Sequence, residues 1–423
     1  MVLASKHSAV LALGAGLLLG CSSSPGNTDG GPTAPTVTVS GTVVNNVGQP
    51  SMGQTVILSS GSFSKTLLTD ASGAFSAQAV PTPYTATVVD SGGGLAVAYQ
   101  GLTRTDPTLT DIVTPPSTRS GTVTGLLTGG TYPEPALATT RFIFASPDGV
   151  RDLGEPTSAN YQAQVTWPGP DTTTGTLYAI QIQNGPQGAG PSGYLAYGSR
   201  GDVVLEDTLT LTGQDIAMSP VTSGTLSFGL TLAAGYTLSQ ETLQLLVAPR
   251  VVLDLYGTSS VSATTFSFTT PSVAGTSILV AASANGEAGD YVATQAMVSA
   301  NVSGLTLDLP PAPTLSAPLA NVTGVTTSTA FSWTAFASGV YLFQVYASGS
   351  TFMVVTAATT ATIPDLTSAG LPLPTSARYS WDVLGFAPVT SVDAMAGQGG
   401  MDALFYGSLT EGQSAPREFT TAP

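Results

Sequence analysis

The chain has 423 residues, with 25 acidic side chains against 10 basic ones, a formal charge of −15, one histidine (His7) and one cysteine (Cys21). An acid excess of that size repels nucleic acid and anionic headgroups, so no nucleic-acid partner is expected, and a lone cysteine excludes an intrachain disulfide. Charged residues make up 8 % of the chain against roughly a quarter in an ordinary soluble domain; with Thr, Ser, Gly and Asn in the polar places instead of helix formers, an all-β chain is expected.

At the amino end, Lys6 and His7 precede an apolar run from Ala9 to Leu19. It is too short to span a bilayer, which takes roughly 20 residues, and it ends on Leu18-Leu19-Gly20-Cys21. This is the layout of a cleaved secretory signal with a small residue before the cut. Ser22-Ser23-Ser24-Pro25-Gly26 and Gly30-Gly31-Pro32 follow, a composition that builds no core and reads as a leash. The Leu18–Cys21 segment resembles the lipobox of bacterial lipoproteins. That resemblance implies removal of residues 1–20, acylation of Cys21 and a flexible tether over 21–35, with the chain attached to a membrane through its lipid. Ser22, rather than aspartate, at the next position points to the outer membrane. Loss of the leader removes Lys6 and His7, which leaves Lys65 as the sole lysine and no histidine. Serine hydrolases with a histidine base, Cys-His enzymes and His-ligated zinc or iron sites are then all excluded, and no cofactor is expected.

Beyond the tether a short phrase recurs: Ser40-Gly41-Thr42-Val43, Ser120-Gly121-Thr122-Val123 and Ser223-Gly224-Thr225-Leu226. Each copy opens an apolar–polar alternation, and the spacings, 80 and 103 residues, suit small sandwich domains. Proline-rich breaks at Thr114-Pro115-Pro116-Ser117 and Pro310-Pro311-Ala312-Pro313 read as linkers. Four β-sandwich domains are expected, over 36–114, 117–220, 221–309 and 312–423, each with its own apolar core, strung out as a rod.

In the first unit Val37, Val39, Gly41 and Val43 alternate with polar residues, so one strand face is buried. Thr55-Val56-Ile57-Leu58 is a second strand, Thr69-Asp70-Ala71-Ser72-Gly73-Ala74-Phe75 a turn that delivers Phe75 to the core, and Tyr84 to Val89 a closing strand. This order resembles the carboxypeptidase regulatory-like domain, a small transthyretin-like sandwich, over about 50 residues. The resemblance implies an accessory module without catalytic residues. The middle units supply strand candidates at Arg141-Phe142-Ile143-Phe144, Thr176 to Ile182, Leu209 to Thr212, Leu243 to Ala248, Val251 to Tyr256, Thr265 to Thr269 and Ser277 to Ala282. In the last unit, Trp333 within Ala330-Phe331-Ser332-Trp333-Thr334, the run Tyr341 to Tyr346, and Arg378-Tyr379-Ser380-Trp381-Asp382-Val383 resemble a fibronectin type III domain. The resemblance places Trp333 in the core and Tyr379 on a late strand. The segment Thr390 to Glu411, with Gly397, Gly399 and Gly400, is longer than that family's last loop.

Candidate chemistry is sparse. Ser62-Phe63-Ser64-Lys65 spells S-x-x-K but falls between strands, without its partner motifs. Asp148, Asp152 and Glu155 share a Gly-containing loop and offer oxygen ligands to Ca²⁺, without EF-hand spacing; Asp202, Glu206 and Asp207 form a second such group. Trp167, in Thr166-Trp167-Pro168-Gly169-Pro170, with Tyr194 and Tyr197 in the Gly-rich stretch Gly188 to Gly201, is a possible ligand platform for a sugar or a protein; the competing reading puts Trp167 in the second core. The expectation is a lipid-anchored cell-envelope protein, structural or adhesion-type, without catalysis, whose partner is an envelope protein or a polysaccharide. The alternative is an envelope hydrolase acting on glycans through carboxylates or calcium.

Overall fold

The computed structural model describes residues 35–113, 118–129, 138–156, 158–186, 190–259, 263–337, 339–347 and 349–423. The leader with its Leu18–Cys21 motif, nearly all of the tether, the break at 114–117 and Gly188 lie outside the described residues. Tandem β-sandwiches make up the rest, as the charge-poor, Thr- and Ser-rich composition leads one to expect.

In the first sandwich, strand Thr36–Val44 pairs antiparallel with Ala74–Pro81 and parallel with Thr108–Thr110. The facing sheet runs Phe63–Leu68, Thr55–Ser60, Tyr84–Asp90, Leu95–Leu102. Val39, Val43 and Phe75 meet Val56, Tyr84 and Val88 between the layers. The turn before Phe75 forms as its residues dictate: the Asp70 carboxylate accepts from the backbone N–H of Ser72 at 2.8 Å and of Ala74 at 3.0 Å.

The second and third sandwiches repeat this wiring. Arg119–Thr128 pairs antiparallel with Asn160–Trp167 and parallel with Thr210–Leu211, while Thr222–Leu232 pairs antiparallel with Thr265–Ser272 and parallel with Val302–Leu309. Their facing sheets run Gly149–Asp152, Ala138–Ser146, Thr172–Gln183, Gly193–Glu206, and Val251–Thr258, Tyr236–Ala248, Ser277–Gly286, Tyr291–Val298. The recurring Ser-Gly-Thr phrase lies in the first strand of each unit, and the geometry explains its glycine. The chain returning to the last strand crosses that point so closely that a Cβ on Gly41, Gly121 or Gly224 would lie 2.6 Å from Pro107 O, 2.9 Å from Glu206 O or 2.3 Å from Ala300 O. Only a residue without a side chain permits the crossing.

In the fourth sandwich a small sheet, Leu315–Ala317, Phe331–Trp333 and Thr360–Ala361, covers a larger one built from Val340–Ala347, Ser350–Thr356, Arg378–Ala387 and Arg417–Thr421. Trp333 and Trp381 are buried in its core with Phe331, Phe343 and Tyr379.

A rod in chain order does not describe the molecule. Strand Ser350–Thr356 of the fourth sandwich pairs parallel with Leu95–Leu102 of the first, Thr351 opposite Leu95 and Val355 opposite Tyr99. On the other side Leu409–Gln413 pairs antiparallel with Tyr291–Val298 of the third. The three large sheets thus merge into one sheet of fourteen strands, with the fourth sandwich between the first and the third. The cores merge with them. Val340, Leu342, Val355 and Phe386 join the core of the first sandwich, and Ile143, Ile180, Ile182 and Tyr194 of the second join that of the third. Edge pairing is the physical reason for the merged sheet, because an edge strand presents unpaired N–H and C=O groups that are satisfied by a neighbouring edge, whereas the second sandwich, whose sheets stay separate, joins the third through apolar packing.

Candidate binding cleft

The long segment of the fourth sandwich, residues 388–408, folds into a compact loop that we call the clasp. Ser391 caps its short helix Val392–Met395, its hydroxyl accepting from the Ala394 N–H. Gly399 and Gly400 both have positive φ, +85° and +67°, and reverse the chain into a 3₁₀ turn, Met401–Tyr406. The apolar side chains Val392, Met395 and Met401 enter the core of the first sandwich. Polar contacts then tie the clasp to its neighbours. The Asp393 carboxylate accepts from the N–H of Thr103 at 2.8 Å and of Arg104 at 3.0 Å, and Thr108 N–H donates to Ala396 O at 2.9 Å. Toward the third sandwich, the Gln295 amide donates to Phe405 O at 2.9 Å and to Gly407 O at 2.6 Å, and Arg250 pairs with Asp402. Arg250 is held at φ +64°, a left-handed conformation costly for a residue with a side chain.

Beside the clasp a cleft of about 570 Å³ opens on the outer face of the third sandwich, within the size range of ligand pockets. Residues paired directly across antiparallel strands share a face, so the register defines the floor. One row runs Gln240, Ser283, continuing out of the cleft to Ala293 and Glu411, and the next Thr242, Ala281, Gln295. Gln244 and Asp254 continue the floor, and Tyr256, Phe405 and Tyr406 stand around it. Its charged residues are each engaged: Arg141 with Glu155, Asp402 with Arg250, and Asp254 with the Gln244 amide at 2.7 Å.

Four carboxyls are shifted upward by burial: Glu241, Glu411, Asp382 and, in the first sandwich, Asp111. Glu411, under the clasp, and Glu241 are each pushed to about 8, and each leaves one carboxyl oxygen without a hydrogen-bond partner among the described residues. Asp382 rises to about 6, because burial outweighs its hydrogen bonds with Tyr346, Gln413 and Gln344. Glu241, Glu411 and Asp382 do not pair with one another. Glu241 sits opposite Ala282 and faces the third core, whereas Glu411 sits opposite Ala293 on the other face. Asp382 lies four residues along its strand from Phe386, the partner of Glu411, or about 13 Å at 3.3 Å per residue, beyond the roughly 5–9.5 Å that glycosidase carboxylates span.

The aromatic platform read from the sequence is not formed. Trp167 is 1 % exposed, the last inward residue of a strand whose alternation buries Tyr161, Ala163 and Val165 as well; its indole N–H donates to Pro170 O at 2.9 Å. Tyr194 is buried against the third sandwich, its hydroxyl donating to Thr269 O at 3.3 Å, and Tyr197 packs half-buried on the same cluster. Nor do the loop acids converge. Asp148 accepts from Gln49 at 2.6 Å and from Thr173, Asp152 accepts from the Gly154 N–H, and Glu155 pairs with Arg141. Among the described residues no three acidic, Cys or His side chains are grouped to hold a metal ion. In the second group, Asp207 pairs with Arg119. Ser62 and Lys65 are exposed around the start of edge strand Phe63–Leu68, where no helix presents a nucleophile. The cleft residues were not singled out from sequence; the signal available was the polar alternation Gln240, Thr242, Gln244 against Leu243 and Leu245, which any half-buried strand shows.

No protein-family model matches the sequence, and no curated protein is similar to it. Among solved structures, the Bacillus anthracis TIE protein aligns with 65 % of this chain at 10 % identity and a TM-score of 0.16, and the chain spans 51 % of its length. A Ca²⁺-stabilised, ice-binding adhesin of an Antarctic bacterium aligns with 92 % of this chain and 99 % of its own at 14 % identity and a TM-score of 0.17. The FN1–FN3 fragment of chicken CNTN1 aligns with 73 % of this chain and 100 % of its own at 10 % identity and a TM-score of 0.17. Scores that low carry no argument about arrangement or activity. Among the described residues no helix is long and apolar enough to cross a membrane.

Proposed function

We propose that this chain is a lipid-anchored cell-envelope protein, structural or adhesion-type, that works by display and binding rather than by catalysis. The observation that carries the reading is the merging of three sandwiches into one sheet, locked by the clasp. Strands paired edge to edge across modules resist rotation of one module against the next, a property suited to holding a binding face at a distance from a membrane. The Leu18–Cys21 motif and the polar tether supply the attachment at the outer membrane, and the acid excess favours a neutral or basic partner, an envelope protein or a polysaccharide, over nucleic acid. The first sandwich, as a carboxypeptidase regulatory-like module, and the fourth, as a fibronectin type III-like module, are scaffold parts in this reading. Against the hydrolase alternative, Glu241 and Glu411 face different layers, and Asp382 stands too far from Glu411 to act with it.

Two measurements on whole cells test it. Mass spectrometry of the amino-terminal peptide should find an acylated Cys21, and Cys21→Ser should move the protein from the membrane fraction to the soluble one. Loss of the protein should reduce attachment of cells to polysaccharide-coated or protein-coated surfaces; unchanged attachment on every surface would remove the adhesion reading.

A further inference from the structure

We propose that the cleft beside the clasp binds a segment of a neutral oligosaccharide. The inference rests on the binding-protein reading above and specifies its ligand class.

The first argument is the chemistry of the floor. Gln240, Thr242 and Gln244 project from one strand at successive same-face positions, about 7 Å apart. Amides and hydroxyls each both donate and accept, the set needed for vicinal sugar hydroxyls, which also do both. The second argument is charge. Arg141 is paired with Glu155 and Asp402 with Arg250, whereas Asp254 is held only by the neutral Gln244 amide, so an anionic ligand would find no free cation at the cleft and would meet an uncompensated carboxylate. The third argument is the wall. Tyr256, Phe405 and Tyr406 are half-buried around the polar floor, offering ring faces and edges to the C–H faces of a sugar while the hydroxyls turn toward the amides. A polar row that runs along a strand fits a chain of sugar units better than a compact ligand.

The test uses the full chain, titrated calorimetrically with cellohexaose, maltohexaose, laminarihexaose and chitohexaose, and with oligogalacturonate as the anionic probe. At least one neutral probe should bind, oligogalacturonate should not, and Gln240→Ala and Thr242→Ala should each weaken binding by about tenfold, the effect of losing one hydrogen-bonding group, with unchanged thermal melting. Gln240→Glu, which keeps the size and adds a charge, should weaken the neutral probe as well. Three results would overturn the proposal: no neutral probe binding at millimolar concentration, binding unaffected by the cleft variants, or preference for the anionic probe. Cell attachment is scored in parallel. Attachment that depends on the protein but not on Gln240 or Thr242 sinks the cleft and leaves the adhesion reading standing, whereas attachment independent of the whole protein sinks that reading.

Discussion

Replacing Gly224 by alanine tests the account of the recurring Ser-Gly-Thr phrase. A Cβ there would lie 2.3 Å from Ala300 O and 2.7 Å from the Asn301 side-chain oxygen, which accepts from the Thr225 N–H at 2.9 Å. Contacts below 3 Å do not persist, so either the first strand or the returning chain must move by more than half an ångström inside a packed sandwich. Overpacking of that kind costs about 1–3 kcal/mol, and loss of the Asn301 hydrogen bond adds about 1 kcal/mol. Against this, alanine restricts the unfolded chain and returns about 0.4–1 kcal/mol. The net expectation is a loss of about 1–3 kcal/mol. The same strand contains its own control, because a Cβ on Gly229 would meet nothing nearer than Thr264 O at 3.9 Å, so Gly229→Ala should be neutral or slightly stabilising. The closest backbone approaches rank Gly224, then Gly41 with Pro107 O at 2.6 Å, then Gly121 with Glu206 O at 2.9 Å, and the losses should follow that order. Urea unfolding of the four alanine variants, followed by hydrogen exchange so that each sandwich is read separately, supplies the comparison. If Gly224→Ala matches Gly229→Ala, the close crossing is not what selects glycine and the reasoning is wrong.

Stability should fall as pH rises from about 4.5, the ordinary glutamate value, to about 8, where Glu241 and Glu411 ionise in the folded chain. Over that window the unfolded chain has released protons that the folded chain still holds, which gives a negative slope; Glu411→Gln should flatten it in pH-dependent thermal melts and stabilise the protein at pH 8. Arg250→Ala should destabilise by about 1 kcal/mol through loss of the partly exposed pair with Asp402, and Arg250→Gly should cost less, because glycine accepts the positive φ without strain; paired denaturation curves at low and high salt separate the two effects. Trp167→Ala should lose about 3–5 kcal/mol from the second sandwich, and the emission of the buried tryptophans should stay blue-shifted and unmoved on addition of oligosaccharide; a red-shifted, sugar-sensitive emission from Trp167 would restore it as a ligand platform.

Burial of Trp167 is legible in the sequence, and the structure agrees with the core reading over the platform. Tyr161, Ala163, Val165 and Trp167 alternate with polar residues through the strand, but the Pro-Gly-Pro that follows gave the position the look of a loop. The loop acids illustrate the opposite difficulty. Asp148, Asp152 and Glu155 are close in sequence, yet Asp148 bonds Gln49 and Thr173 and Glu155 pairs with Arg141, residues from elsewhere in the chain, and no local pattern reveals such pairings.

Local chemistry was enough to establish sheet over helix, the turn before Phe75, and the repetition of one plan behind the Ser-Gly-Thr phrase. All of these follow from alternation, turn residues and composition within a few tens of residues. The merged sheet, the clasp and the cleft were decided by tertiary structure alone. Which edge meets which depends on unpaired backbone groups that every edge strand shares, and the cleft gathers residues separated by more than 150 positions of chain, from Gln240 to Phe405, a juxtaposition that only the tertiary fold brings about.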